Sequence, residues 1–265
     1  MADPAFETDW AAAWRALVEA READSAAAPQ PGYWDRRAAG FAYSMRDAPD
    51  PFFEFLEPWL DPGKTAIDAG AGTGRHALRL ADRLEWVTAV EPSEGMRAHI
   101  EPRDNLTVIA SSWEDADPAP ADLVICSHVL YGVAEVAPFL EKLEARARER
   151  VFVYLRDCQM SLPSEALWRR LAGSRARMPE FRDLYLVLRG MGVAPDVTMV
   201  EYAASRRYPD LEAAVEEVSA ALGERWEDAS GRAFLEERLQ PSSDGGLLWD
   251  AGPMRSGIAH WKPRS

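Results

Sequence analysis

The chain has 265 residues, a formal net charge of −14, 47% hydrophobic residues and 28% charged residues. This composition supplies ample apolar material for a core and leaves no case for disorder. So acidic a chain repels phosphate backbones and anionic lipid surfaces, so neither nucleic acid nor a membrane is the expected partner.

The start, Met1-Ala-Asp-Pro, lacks the basic region and apolar run of a signal peptide. No stretch approaches the ~18 apolar residues of a membrane span, so the cytoplasm is the expected location. Residues 8–22 predict a helix, with Thr8 or Asp9 as cap and Trp10, Trp14, Leu17 and Val18 at helical spacing as a packing stripe. An Ala/Pro/Gly linker follows at 26–32, and Tyr33-Trp34-Asp35 opens a second helical piece through Phe41 and Tyr43. Pro51 suits the first position of a third helix carrying Phe52, Phe53, Leu56 and Trp59, and Pro62-Gly63 ends it. Residues 1–62 are therefore expected to form an N-terminal helical cap.

From residue 63 the pattern alternates between strand and helix. Strands are expected near 65–69, 86–91, 106–110, 121–127 and 151–155, with helices at 75–84, 94–100 and 133–147. Further helices are expected at 164–172, 181–190, 210–222 and 230–240. A strand follows at 197–202, and a last strand or hairpin lies within Leu247 to Trp261. The two cysteines, Cys126 and Cys158, lie in or beside apolar strand-like segments and read as small buried hydrophobes.

The loop after the first strand carries the chemistry. In Asp68-Ala69-Gly70-Ala71-Gly72-Thr73-Gly74 the glycines permit positive φ and close approach of a ligand, and the following helix start offers N–H groups to an anion. Glu91, ending the second strand, stands where a carboxylate accepts from ribose hydroxyls. A dinucleotide fingerprint needs G-x-G-x-x-G, but Arg75 stands at its third glycine position. Asp68 also weighs against a pyrophosphate, since two like charges ~4 Å apart repel by roughly 4 kcal/mol at an effective dielectric near 20. A cationic ligand group would instead be attracted. S-adenosylmethionine meets these demands with its ammonium and sulfonium, its carboxylate and its ribose. A nicotinamide-dependent oxidoreductase and a non-catalytic S-adenosylmethionine-binding protein are the alternatives.

Four motifs, D-A-G-A-G-T-G at 68–74, V-E-P-S at 90–93, S-S-W-E-D at 111–115 and D-L-V-I-C-S-H at 122–128, occur in register. Together they resemble the class I S-adenosylmethionine-dependent methyltransferases. The resemblance implies an α/β Rossmann-like fold with a seven-stranded, mainly parallel sheet, an antiparallel edge, and a methyltransferase domain over 63–265. Helical insertions are expected at about 160–192 and 210–240. It further implies that an N-terminal region folds over the cofactor, which brings Tyr33, Trp34 and Tyr43 toward the acceptor.

Ligands of open α/β sheets bind beyond the strands' carboxyl ends. The cofactor candidates are accordingly Asp68, Ala69, Gly70, Gly72, Gly74, Glu91, Pro92, Ser93, Met96, Ser112, Trp113, Ser127 and His128, with Trp113 and Met96 as possible adenine contacts. Ser93 also reads as a helix cap. His128 and Tyr131 are the catalytic candidates, His128 as a general base for a hydroxyl acceptor. Arg156, with Asp157, is a candidate for orienting a carboxylate or binding an amine. The D/N/S-P-P-Y/F motif of enzymes that methylate exocyclic base amines is absent, which points to a small-molecule acceptor. No metal-ligand spacing is present, and no metal is expected.

Overall fold

The computed structural model describes residues 8–24 and 32–264; most of the linker expected at 26–32 lies outside them. Three helices precede the sheet: α1 (Trp10–Ala23), α2 (Tyr33–Met45) and α3 (Pro51–Leu56). Alternating strands and helices follow: β1 (Thr65–Ala69), α4 (Arg75–Ala81), β2 (Trp86–Val90), α5 (Glu94–Arg97), β3 (Leu106–Ile109), β4 (Ala121–Ser127), α6 (Val136–Arg146) and β5 (Ala147–Arg156). The remainder comprises α7 (Pro163–Ala172), α8 (Phe181–Gly190), β6 (Asp196–Tyr208), α9 (Leu211–Leu222), α10 (Asp228–Arg238), the two-residue β7 (Gln240–Pro241) and β8 (Leu247–Trp261).

The strand order is β3-β2-β1-β4-β5-β8-β6, with β7 paired to β8 outside that path. The first five strands are parallel, and β8 runs antiparallel to both β5 and β6. The mainly parallel sheet with an antiparallel strand near one edge is therefore present.

Each sheet face buries its own cluster, because strand side chains alternate between faces. On one face Ile67, Val124, Val151 and Val153 pack with Trp14 and Val18 of α1, Phe139, Leu140 and Leu143 of α6, and Leu184 and Leu188 of α8. On the other, Leu123, Ile125, Phe152 and Tyr154 pack with Phe52, Phe53 and Leu56 of α3 and Leu80 of α4. The N-terminal helices thus divide between faces. Asp9 caps α1 by accepting from the Ala12 N–H, and the Trp14 indole donates to the Val133 carbonyl at 2.8 Å, so α1 is a core element.

β6 extends well past the expected 197–202, pairing with β8 from Asp196–His260 to Tyr208–Leu247. The two strands continue beyond the end of β5 as a ribbon. Against it α7, α9 and α10 build a third core around Trp168, Val218, Leu222, Leu235 and Trp249. This extra core stands above the carboxyl ends of the parallel strands, the end at which ligands of such sheets bind.

Candidate active site

The glycine loop turns directly out of β1. Gly70, Gly72 and Gly74 have φ of 80°, 56° and 79°, values that L side chains seldom adopt. Their surroundings differ. A Cβ on Gly70 would lie 2.4 Å from Val129 Cγ2, whereas one on Gly72 would meet nothing within 4 Å. Gly70 therefore permits packing, while Gly72 leaves open space before the loop. The Gly70 and Ala71 N–H groups both donate to the Val90 carbonyl, at 2.8 and 3.0 Å, tying the loop to the end of β2.

Glu91 continues that tie with its side chain. Its two carboxylate oxygens accept from the Gly72 and Ser93 N–H groups, each at 2.8 Å. It is buried, and burial raises its pKa against the opposing pull of those two N–H groups. A carboxylate oxygen has two lone-pair sites, so each retains capacity for a ribose hydroxyl.

Asp68 is more deeply buried, and neither oxygen has a hydrogen-bond partner. Burial pushes its pKa up to about 6; the nearby His76 opposes that effect, and the Glu91 and Asp50 charges add to it. An ionised carboxylate left without a partner is costly, and native proteins keep few of them. An orphaned carboxylate directly before the glycine loop fits a cationic ligand group.

Ala69 is buried in the strand, and Pro92 is exposed at the turn after Glu91. Ser93 caps α5 by accepting from the Met96 N–H, and Met96 is itself buried. Ser112 pairs with Asp115 at 2.9 Å. Trp113 lies in the core, its ring against Phe139 and its N–H donating to the Phe139 carbonyl at 3.3 Å. The indole face expected to stack on adenine is thus engaged in packing. Ser127 ends β4, opposite Tyr154 of β5.

Two contacts that the sequence reading missed bring the N-terminal segment to the loop. Asp35 of α2 accepts from the Ser93 hydroxyl at 2.6 Å and from the Gly95 N–H at 2.8 Å. The helices are close enough that a Cβ on Gly95 would lie 2.8 Å from the Asp35 backbone. On the other side Arg75 donates to the Ala48 and Pro49 carbonyls and to Asp50, so the residue replacing the fingerprint glycine anchors the approach to α3. Asp50 also accepts from His76, Arg79 and the Phe53 N–H. Burial would raise its pKa, but His76, Arg75 and the Phe53 N–H outweigh that and hold it far below the usual range.

The acceptor candidates fall into three places. Tyr33 and Trp34 start α2 beside Asp35, in edge contact at 5.2 Å, and Trp34 is half exposed. Tyr43, near the other end of that helix, donates to Asp244 at 2.9 Å and meets the turn before β8. His128, Tyr131 and Arg156 come together beyond β4 and β5.

His128 has φ of 59° and is the non-glycine residue with positive φ among those described, a conformation that costs about 1–2 kcal/mol and concentrates at functional sites. Its N–H donates to the Tyr154 carbonyl at 2.9 Å, which holds the turn. The Tyr131 hydroxyl accepts from the Arg156 backbone N–H at 2.9 Å and from its Nε at 3.0 Å. Both lone-pair sites are then used, so the Tyr131 proton points to His128 Nδ1, 2.9 Å away. This network assigns the ring proton to Nε2. Burial, with Arg156 adding to it, holds the His128 pKa well below its ordinary value, so the ring is neutral.

A glycine loop, an acidic strand end and a polar cluster at the carboxyl edge of a parallel sheet define a nucleotide-cofactor enzyme of the α/β class. Residues 41–186, more than half the chain, match the family model described as methyltransferase domain. The chain belongs to that family, and is a class I S-adenosylmethionine-dependent methyltransferase. Its cofactor is S-adenosylmethionine. No curated protein matches the sequence.

Among solved structures, a protein of Bacillus halodurans C-125 assigned as a methyltransferase aligns with a TM-score of 0.53 at 11% identity, covering 82% of this chain and 100% of that one. Magnesium protoporphyrin IX methyltransferase of Synechocystis PCC 6803, solved with S-adenosylhomocysteine, aligns with a TM-score of 0.52 at 13% identity, covering 87% and 96%. At these identities the likeness concerns the fold.

Among the described residues, no cluster of His, Cys, Asp or Glu is arranged to hold a metal ion. Among them, too, no helix is long and apolar enough to cross a membrane.

Proposed function

We propose that this methyltransferase acts on a small-molecule acceptor at the carboxyl end of the parallel sheet, near the glycine loop, α2 and the β6–β8 ribbon. The observation that carries the cofactor half is the buried, unpartnered Asp68 carboxylate that leads into the glycine loop, whose Gly72 faces open space. Asp68 would hold the ammonium and Glu91 the ribose, while Gly70, Gly72, Gly74, Pro92, Ser93, Met96 and Ser112 shape the surrounding wall. Bound S-adenosylmethionine supplies an already activated methyl group, so the protein's task is alignment and exclusion of water.

In the neutral form assigned by its hydrogen bonds, His128 carries its ring proton on Nε2 and accepts a hydrogen bond at Nδ1 from the Tyr131 hydroxyl. The pair therefore orients an acceptor, and the general-base role is the less favoured of the two. The small-molecule reading draws on the extra helices α7, α9 and α10 crowding the acceptor end and on the net charge of −14, which opposes polyanionic substrates.

Calorimetry with S-adenosylhomocysteine and NADH, followed by turnover of labelled methyl donor over a panel of small hydroxyl, amine and thiol compounds, tests the proposal. Binding of the first ligand alone with turnover of a panel member is the expected result. No heat at millimolar S-adenosylhomocysteine would end it, and tight binding without turnover on any acceptor would favour a non-catalytic binding protein.

A further inference from the structure

The Arg156 guanidinium sits in the acceptor cluster without a carboxylate. Of its five N–H donors, Nε donates to the Tyr131 hydroxyl and one on Nη1 to Met160 Sδ at 3.3 Å; the other three have no protein acceptor. Among the described residues no acidic side chain pairs with it. Its sequence neighbour Asp157 is committed to Arg255, which donates to it from Nε at 3.1 Å and from Nη2 at 2.6 Å. Holding a desolvated cation without a counter-charge is unfavourable, and in a chain of net charge −14 carboxylates are plentiful.

The surroundings are aromatic. The guanidinium carbon lies 4.6 Å from the centre of the Tyr131 ring, and His128 stacks near that ring at 15° between planes. Tyr154, two residues earlier on the same face of β5, is a core residue behind His128: its ring stacks on Phe52 at 4.9 Å and meets the His128 ring at 4.5 Å, and its hydroxyl lacks a partner. It lies beside the Tyr202–Ser256 hydrogen bond of β6 and β8. His128 Nε2, like the Arg156 Nη2 group, has no protein acceptor and is not sealed from solvent.

We infer that the methyl acceptor is an aromatic carboxylate, its anionic group held by Arg156 and the His128 Nε2–H and its ring lying beside the partly exposed Tyr131. This rests on the methyl-transfer reading of the same site. A planar guanidinium presents paired donors that match a carboxylate, and the unused donors on Arg156 and His128 supply that set.

The test uses the complex with S-adenosylhomocysteine, titrated by calorimetry with benzoate, 4-hydroxybenzoate and cinnamate, with the matching amides and with inorganic phosphate. The carboxylates should bind and the amides should not. In Arg156→Gln carboxylate affinity should fall by about 10- to 100-fold, with S-adenosylhomocysteine affinity within a few fold of wild type. Arg156→Lys keeps the charge and should retain part of the carboxylate affinity, which guards against a glutamine variant that fails to fold.

Carboxylates and amides binding alike, or none of the carboxylates binding, would overturn the inference, as would phosphate binding alone. An Arg156→Gln protein that loses S-adenosylhomocysteine instead would assign the guanidinium to the cofactor's carboxylate and overturn it as well. A wild-type protein that binds no S-adenosylhomocysteine would fail the underlying cofactor site first, a result distinguishable from all of these.

Discussion

On one side of the glycine loop the Asp50 carboxylate is buried and accepts from Arg75, His76, Arg79 and the Phe53 N–H. Near it, within reach of the same His76, the Asp68 carboxylate is buried more deeply and neither oxygen has a hydrogen-bond partner. The same chemical group is held far below its usual pKa in the first place and pushed up to about 6 in the second. Satisfied and charged, Asp50 contributes to stability by fastening the segment before α3 to α4. Asp68 contributes a penalty whenever it ionises, and its retention is explained by a ligand that brings the missing cation.

The sharpest way to break this comparison is to remove each carboxylate in turn. Asp50→Ala strands Arg75 and the Phe53 N–H, and chemical denaturation should show a loss of about 3 kcal/mol. Unchanged stability would mean that the clamp is decorative. Asp68→Asn should do the opposite to the fold: at pH 7 its melting temperature should equal or exceed that of wild type. Its affinity for S-adenosylhomocysteine should fall about 10- to 150-fold, the equivalent of a charged hydrogen bond of roughly 1.5–3 kcal/mol. Lower stability with unchanged affinity would exchange the roles assigned to the two residues.

A smaller effect separates the N-terminal helices. Trp14 of α1 is a core side chain, while α2 meets the cofactor wall through Asp35 on Ser93 and Gly95. Hydrogen exchange should therefore slow across 33–45 when S-adenosylhomocysteine binds and stay the same across 10–23. Equal protection of both segments would make them one lid, and no change in either would remove the lid role from α2.

Legibility followed the range of the interactions. The bounds of β1 and β4, the Ser93 cap and the glycine loop were readable because each depends on neighbours within a few residues, as strand alternation and capping do. The far half of β6 was not, since Ser205-Arg206-Arg207 looks like a solvated run until it is paired with Leu248 to Asp250 and its Arg206 is bridged to Glu217. Trp113 sat at a position suited to adenine, yet packing against Phe139 governs it, and sequence has no means of ranking a core partner 26 residues away. Arg75 registered only as a missing glycine. Its contacts to Ala48, Pro49 and Asp50 arise from a segment that periodicity leaves blank. Asp35 could have been suspected, because Gly95 inside the first turn of α5 marks a close backbone approach.

The central claim is that Asp68 waits for a cationic ligand, and protonation tests it most directly. Its folded pKa of about 6 lies above the ordinary 3.8, so its contribution to stability is full below 3.8 and is lost as pH rises through 6. A bound ammonium reverses the preference and draws the pKa down. Calorimetric titration of S-adenosylhomocysteine at pH 6, in two buffers of different ionisation enthalpy, should show net proton release, with affinity about tenfold weaker at pH 5 than at pH 7. The release should vanish in Asp68→Asn. Binding with no proton release, or with uptake, would contradict the account.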